Sequence, residues 1–282
     1  MVEELMKKMD AAIDLLRDGE RLALTMNPED GYYLAFSGGK DSQVLYDLAV
    51  RAGVKFKAWY SVTGNDAPDN VYFIRENYPG VTFVHPKEKF IKLVEKKGMP
   101  TINRRFCCDR LKERIGSGNV VLTGVRAEES RKRAGYAQVM IHSRRVEHQG
   151  TDSGRSVSWL KQTEHQCIKG KDRVMVHPLL NFTEKEVWDY IRFCDLPVNP
   201  LYEVCGRVGC MYCPFTSDAQ LNFYERRYPL FKKSILAALE KNLTRRKQSP
   251  FRNAAQFYRW WRSKKTVEKF LSEENMLAYA SN

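Results

Sequence analysis

The chain has 282 residues, 43% hydrophobic and 29% charged, which is enough for one large domain and a smaller appendage around a real core. Its formal net charge of +13 points to an anionic partner, nucleotide or polynucleotide. The charged, amphipathic start lacks an apolar signal core, and no run of about 18 apolar residues occurs. A membrane span is thereby excluded, and a cytoplasmic enzyme or binding protein is expected.

In chain order, residues 1–29 open with a helix that covers a domain edge. "GYYLAF" (31–36) reads as a buried strand and Asp41 to Ala52 as a helix ended by Gly53. "KFKAWYSV" (55–62) is a second strand, Asp69 to Asn77 a helix, and "VTFVHP" (81–86) a third strand stopped by Pro86. "KEKFIKLVEKKG" is an amphipathic helix whose apolar positions are Phe90, Ile91 and Val94. "NVVLTGV" (119–125) and "RVMVHPLL" supply further strands. "TEKEVWDYIRFC" (183–194) opens on a capping box of Thr183 and Glu186. Alternating strands and helices joined by right-handed crossovers predict an α/β fold: an open, mostly parallel sheet with helices on both faces.

The expected division is a nucleotide-binding domain over 30–213, with a poorly periodic insertion at about 131–173, and a helical C-terminal region over 214–282. "SRRVEHQGTDSGRS" (143–156) is either a lid over an active site or a plain surface insertion. Residues 241–270 carry ten Lys or Arg against one acidic residue. They form either a solvated basic helix pair or a surface for tRNA or DNA. Phe257, Tyr258, Trp260 and Trp261 either stack on bases or pack one domain on the other.

The stretch "SGGKDS" (37–42) follows the first strand and opens a helix. Gly38 and Gly39 let the backbone turn sharply and approach an anion, and free N–H groups at the helix start receive its oxygens. Ser37 and Ser42 add hydroxyls and Lys40 a positive charge, while Asp41 caps the helix or holds a Mg²⁺-bound water. Arg126 offers a bidentate clamp for an attacked phosphate, or else pairs with Glu128 or Glu129. Seven cysteines without an export signal argue for metal or thiol chemistry rather than a disulfide framework. Cys107-Cys108 and Cys210-x-x-Cys213 together offer four thiolates, a set that suits the cube of a [4Fe–4S] cluster better than one small tetrahedral zinc. Zinc on the same thiolates and a metal-free redox pair are the alternatives. Cys205 either replaces a ligand or acts as a thiol nearby, Cys167 is a candidate sulfur carrier, and Cys194 reads as a buried small residue.

"SGGKDS" resembles the pyrophosphate-binding loop of the ATP pyrophosphatase superfamily, the PP-loop or adenine nucleotide alpha hydrolase-like enzymes. "YSVTGNDAPDNVYFIRE" resembles the "TG…PET" segment of its phosphoadenosine phosphosulfate reductase branch, with Asp69 in place of Glu and Ser61 in place of Asp. "LTGVRAEESRKR" is similar to the "G-x-R-x-x-E-S-x-x-R" segment through Gly124, Arg126, Glu129, Ser130 and Arg133. The "NPLY" and "G-C-x-x-C" ending completes a resemblance over roughly residues 30–215, with Glu186 for a usual Asp. It implies that Ser37, Gly38, Gly39, Lys40, Asp41, Ser42, Thr63, Gly64, Gly124 and Arg126 hold the nucleotide. It also implies that Cys107, Cys108, Cys210 and Cys213 hold the cluster of an iron–sulfur type member.

The reductases that this branch contains use a cysteine in a C-terminal tail, and no cysteine follows Cys213 here. Their loop is also less complete. The first expectation is therefore an ATP- and Mg²⁺-dependent adenylylating enzyme with a [4Fe–4S] cluster, working in sulfur transfer, with Lys40, Asp41, Arg126 and Cys205 as catalytic residues. A sulfur donor or thiol reductant protein and a homodimer are the implied partners. The second expectation is an adenylylsulfate or phosphoadenylylsulfate reductase that produces sulfite. The third is a nucleic-acid-binding accessory protein.

Overall fold

The computed structural model describes residues 2–113, 116–142, 153–155, 173–246 and 248–280. Helix α1 (Val2–Met26) leads into β1 (Tyr32–Phe36), α2 (Lys40–Ala52), β2 (Phe56–Ser61), α3 (Pro68–Asn77) and β3 (Thr82–Val84). There follow α4 (Phe90–Lys97), α5 (Phe106–Cys108) with a π-turn over Asp109–Glu113, β4 (Val120–Leu122), α6 (Arg131–Ala134), β5 (Val139–His142), β6 (Ser153–Arg155) and β7 (Arg173–Val176). The remaining helices are α7 (Glu184–Phe193), α8 (Leu201–Cys205), α9 (Asp218–Arg227), α10 (Pro229–Arg245), α11 (Ala254–Ser263) and α12 (Val267–Ala280). None of the described helices is long and apolar enough to cross a membrane.

The contacts divide the chain into two compact units. The first comprises Met1–Ser61, Pro68–Val84 and Arg114–Val208 and holds the whole sheet, in the order β3-β2-β1-β4-β7-β5-β6. Strands β3, β2, β1, β4 and β7 run parallel, and β5 and β6 are antiparallel additions at one edge. The fold is thus the expected α/β sheet, mostly parallel, with helices on both faces and further helices after it. Its core is a near-continuous apolar layer, as a two-sided parallel sheet requires: Leu34, Leu45, Leu48, Leu122, Val174 and Val176 are fully buried. Helix α1 closes one side, with the Tyr32 hydroxyl donating to the Leu16 carbonyl at 2.6 Å. Lys8 reaches Glu186 at 2.6 Å, the same carboxylate that completes the capping box of α7 with Thr183.

The stretch expected to lack periodicity contains α6 and the strand pair β5–β6, which are too short to leave a pattern. Its middle, including Cys167 and most of the proposed lid over 143–156, lies outside the described residues.

The second unit comprises Val62–Ala67, His85–Glu113 and Gly209–Asn282. Here α4 lies on α10, and Asn242 Nδ2 donates to the Glu95 carbonyl at 3.0 Å. Helix α4 buries Phe90, Leu93 and Val94, whereas Ile91 is only half-buried. Two of the three expected positions are therefore buried and Leu93 replaces Ile91, because the i, i+3, i+4 spacing runs through Leu93. Phe257, Tyr258 and Trp261 are buried inside this unit, and the Trp261 indole donates to the Pro100 carbonyl at 2.7 Å.

Leu34 stands at the middle of β1 with no exposed surface. Leu34→Ala should cost about 2–5 kcal/mol, because the paired strands on either side hold the cavity open. Equilibrium urea denaturation reads this as a lower midpoint at unchanged slope.

Candidate nucleotide site

Strand β1 pairs with β2 on one side and β4 on the other, and the chain reverses its direction of travel across the sheet at that point. In an open α/β sheet this is where a crevice forms beyond the carboxyl ends of the strands. The loop after β1 carries Ser37, Gly38 and Gly39, and the loop after β4 carries Gly124 and Arg126. The sequence-predicted residues of the first unit therefore converge at one place.

The turn is tight. Gly38 has φ +77°, and a Cβ there would run into the Asn70 side-chain oxygen and stand 2.9 Å from the end of Ile74. Only glycine fits. The Ser42 hydroxyl gathers the loop: it accepts from the Ser37 N–H at 3.2 Å and the Ser37 hydroxyl at 3.1 Å, and it donates to the Gly39 carbonyl at 2.8 Å. Two asparagines fasten the outside of the turn. Asn70 Nδ2 donates to the Ser37 carbonyl at 3.1 Å, and Asn199 Nδ2 donates to the Gly38 carbonyl at 3.0 Å and to Asn70 Oδ1 at 2.7 Å. The Tyr202 hydroxyl accepts the Lys40 backbone N–H at 2.8 Å.

Asp41 does not cap the helix, whose N-cap is Gly39. Its carboxylate joins the two cations of the site, taking Lys40 Nζ at 3.1 Å and Arg126 Nε at 2.6 Å. Of the two expected uses of Arg126, the structure contains the carboxylate pairing, with its other arm on Glu128 at 2.8 Å. Lys40 also lies 3.4 Å from Glu184. Burial works against the charge of Arg126, but Asp41, Glu129 and Glu128 outweigh it and hold its pKa above the ordinary value. Arg126 is 4% exposed and held by two carboxylates, so its guanidinium is fixed before any ligand arrives. Gly124 lets the β4 loop lie against α2, since a Cβ there would stand 3.0 Å from the Asp41 carbonyl.

Asn70, Asn199 and Tyr202 escape a reading of the motif itself. They sit far from it in sequence, and the only signal was their place within the "PDN" and "NPLY" segments.

Thr63 and Gly64 belong to the second unit, in a turn closed by the Thr63 N–H on Asp66 Oδ2 at 2.7 Å. The neighbouring Asn65 clamps the Cys-x-x-Cys segment. Its carbonyl accepts the Met211 N–H at 2.8 Å and its side-chain oxygen the Tyr212 N–H at 3.0 Å.

The same unit holds Cys107, Cys108, Cys210 and Cys213. Among the described residues, no group of three or more His, Cys, Asp or Glu side chains is placed to hold a metal ion. The expected [4Fe–4S] set on these four cysteines is therefore corrected, and zinc on the same thiolates with it. The physical reason lies in what the thiols bond to instead. A hydrogen bond to Cys108, with burial, pushes the Cys107 thiol pKa up. Cys210 attracts the Lys112 ammonium and is hydrogen-bonded by it, which raises the lysine pKa. Cys205 lies in the first unit, 7% exposed at the end of α8, and Cys194 is half-buried at the end of α7.

The glycine turn, the two cations and the switch in strand order make this crevice the candidate nucleotide site. The chain belongs to the phosphoadenosine phosphosulfate reductase domain family, which it matches over residues 31–216. It is 27% identical over 207 residues to the uncharacterized protein MJ0973 of Methanocaldococcus jannaschii, covering 71% of this chain but only 46% of that protein. It thus spans about half the length of that relative. It is 30% identical over 205 residues to the adenosine 5′-phosphosulfate reductase of Pseudomonas aeruginosa, covering 70% of each chain. The phosphoadenylyl-sulfate reductase of Candida auris, in a phosphate complex, superposes with a TM-score of 0.44 at 18% identity over 72% of this chain and 89% of that one. The family and the Pseudomonas relative, with no cluster set among the described cysteines, correct the expectation of a cluster-bearing adenylylating enzyme and favour the sulfonucleotide alternative.

Gly53, with φ +70° and nothing within 4 Å of an added Cβ, is a control for Gly38. Gly53→Ala should lower stability by about 1 kcal/mol, the left-handed strain alone. Gly38→Ala should cost more, because the added Cβ also meets Asn70 and Ile74, and thermal melting reads the difference between the two variants.

Proposed function

We propose that this enzyme takes adenylyl sulfate or its 3′-phosphorylated form and releases sulfite. The observation that carries the reading is the pair of cations, Lys40 and Arg126, held side by side on Asp41 at 3.1 Å and 2.6 Å in the crevice of a reductase-domain fold. A thiolate attacks the sulfur, the bond from sulfur to the bridging oxygen breaks, and AMP leaves, or adenosine 3′,5′-bisphosphate from the 3′-phosphorylated form. Negative charge then grows on the AMP phosphate, where two fixed cations stabilise the transition state more than the ground state. A second thiol attacks the resulting thiosulfonate, so that sulfite departs and a disulfide forms. We assign both thiols to a reductant protein, because Cys205 is buried. Ser37, Gly38, Gly39 and Ser42 shape the loop around the phosphate, and Gly124 keeps Arg126 close to it.

Lys40→Ala and Arg126→Ala should each lower kcat/KM for sulfite release by about 10²–10³. The assay is sulfite formation from each sulfonucleotide with a dithiol or thioredoxin-type donor. Pyrophosphate release from ATP, with no sulfite from either sulfonucleotide, would overturn the reading.

A nucleic-acid partner is a second reading, and its support is the charge of residues 241–270. With Phe257, Tyr258 and Trp261 turned inward, this stretch presents Lys241, Arg245, Arg252 and Lys269 as exposed cations. Such a surface offers contacts to phosphates rather than stacking on bases. Binding should then be independent of sequence and fall steeply with salt, log K dropping by about 0.9 per phosphate neutralised for each tenfold rise in salt. Fluorescence anisotropy with a labelled duplex checks this. Binding that is flat in salt, or lost when the labelled strand is scrambled, counts against it.

A further inference from the structure

The amides of a phosphate loop are ordinarily the groups that bind its ligand, because the first N–H groups of a helix have no partner within it. Here they are largely occupied by the protein. The Ser37 N–H is bonded to Ser42 Oγ at 3.2 Å, the Gly39 N–H to Ser37 Oγ at 3.4 Å and the Lys40 N–H to Tyr202 Oη at 2.8 Å. The last bond differs from the others in its origin. Ser37 and Ser42 belong to the loop, but Tyr202 comes from α8, across 162 residues of chain.

The hydroxyl is set over the loop deliberately enough to constrain it. A Cβ on Gly39 would lie 3.2 Å from Tyr202 Oη, so the oxygen stands directly above the second glycine. The ring is held edge-on by Trp188 at 4.9 Å between centroids. Three residues before it, Asn199 is tied to the Gly38 carbonyl and to Asn70, and it receives the Leu201 N–H at 3.1 Å. Lys40 Nζ lies 5.9 Å from the centre of the same ring. Tyr202 is therefore not a passing side chain. It is placed by a wall that also shapes the turn.

A phenol oxygen at the start of α2 satisfies the Lys40 N–H as a terminal phosphate oxygen would, but without charge. The cations on Asp41 are left available. A ligand whose only phosphorus is the one attached to the nucleoside needs those cations and not that amide. A ligand with a diphosphate tail needs the amide as well and has to displace the tyrosine oxygen from it.

We propose that Tyr202 is a specificity residue that fills the diphosphate subsite of the loop and so favours adenylyl sulfate over ATP. This rests on the sulfonucleotide reading of the site. The test is calorimetric titration of the full chain with adenylyl sulfate, AMP and a non-hydrolysable ATP analogue. The parent protein should bind adenylyl sulfate at least about tenfold more tightly than the ATP analogue. Tyr202→Phe keeps the ring on Trp188 and removes the oxygen that holds the amide. It should narrow that ratio by about fivefold to tenfold, through tighter binding of the ATP analogue. Tyr202→Ala, which also clears the space, should narrow it further, with AMP affinity in both variants within about threefold of the parent as the sign of an intact crevice. An unchanged ratio in both variants, or a parent protein that binds the ATP analogue as tightly as adenylyl sulfate, overturns the proposal. Sulfite release with an unchanged ratio discards the role of Tyr202 alone, whereas pyrophosphate release from ATP without sulfite discards the sulfonucleotide reading beneath it.

Discussion

The closeness of the Gly38 backbone to Asn70 is the constraint on which the rest of the site depends. A left-handed glycine with no room for a Cβ brings the turn against α3, and the Gly38 carbonyl then faces a wall instead of water. A buried carbonyl without a donor costs free energy, so the wall has to supply one. Asn199 does, and the same side chain binds Asn70, which in turn binds the Ser37 carbonyl. Segments after β2 and before α8 are thus locked onto the loop after β1 through three amide hydrogen bonds. Removing any one leaves a polar group stranded in a buried place. A site built this way is held in shape by the fold rather than by its ligand.

Charge is handled in the same economical manner. Lys40 and Arg126 would repel each other, and desolvation penalises both. One carboxylate, Asp41, lies between them, and Glu184 and Glu128 stand at the outer sides. The arrangement keeps two positive charges close together in the absence of an anion. An arriving anion competes with carboxylates for cations already in place, so little reorganisation accompanies its binding. The bulk excess of +13 was no guide to this, since the local site is nearly balanced by its own acids.

Much of this was legible because the sheet writes itself into the sequence with a short period. Strand β1, the glycine pair and α2 were readable from an apolar run, two glycines and a helical stripe, and Arg126 from the segment after β4. The support for the loop was not readable. Asn70 and Tyr202 are ordinary polar residues on helices and Asn199 lies in the loop before α8, and only the tertiary fold brings them to Gly38 and Lys40. One position of the α4 stripe was misplaced because Ile91 and Leu93 are equally apolar, and only the neighbour α10 decides which is covered.

The cysteines show the opposite failure, in which composition suggests more than geometry delivers. Four thiols in two tight pairs look like a ligand set when only residue type and spacing are considered. A ligand set requires that the sulfurs be anionic and turned toward one point. Among the described residues no such group is gathered: Cys107 shares a hydrogen bond with its neighbour Cys108, and the Lys112 ammonium is hydrogen-bonded to Cys210. The Cys-x-x-Cys segment has a structural tie of its own, because Asn65 clamps Met211 and Tyr212 between the two cysteines. That clamp ties the "TGND" turn to the "GCMYC" segment through backbone hydrogen bonds. Each supplies the hydrogen-bonding partners that the other would otherwise lack when buried. The pairing of two distant motifs is therefore accounted for by backbone satisfaction, the same principle that ties Asn199 to the nucleotide loop.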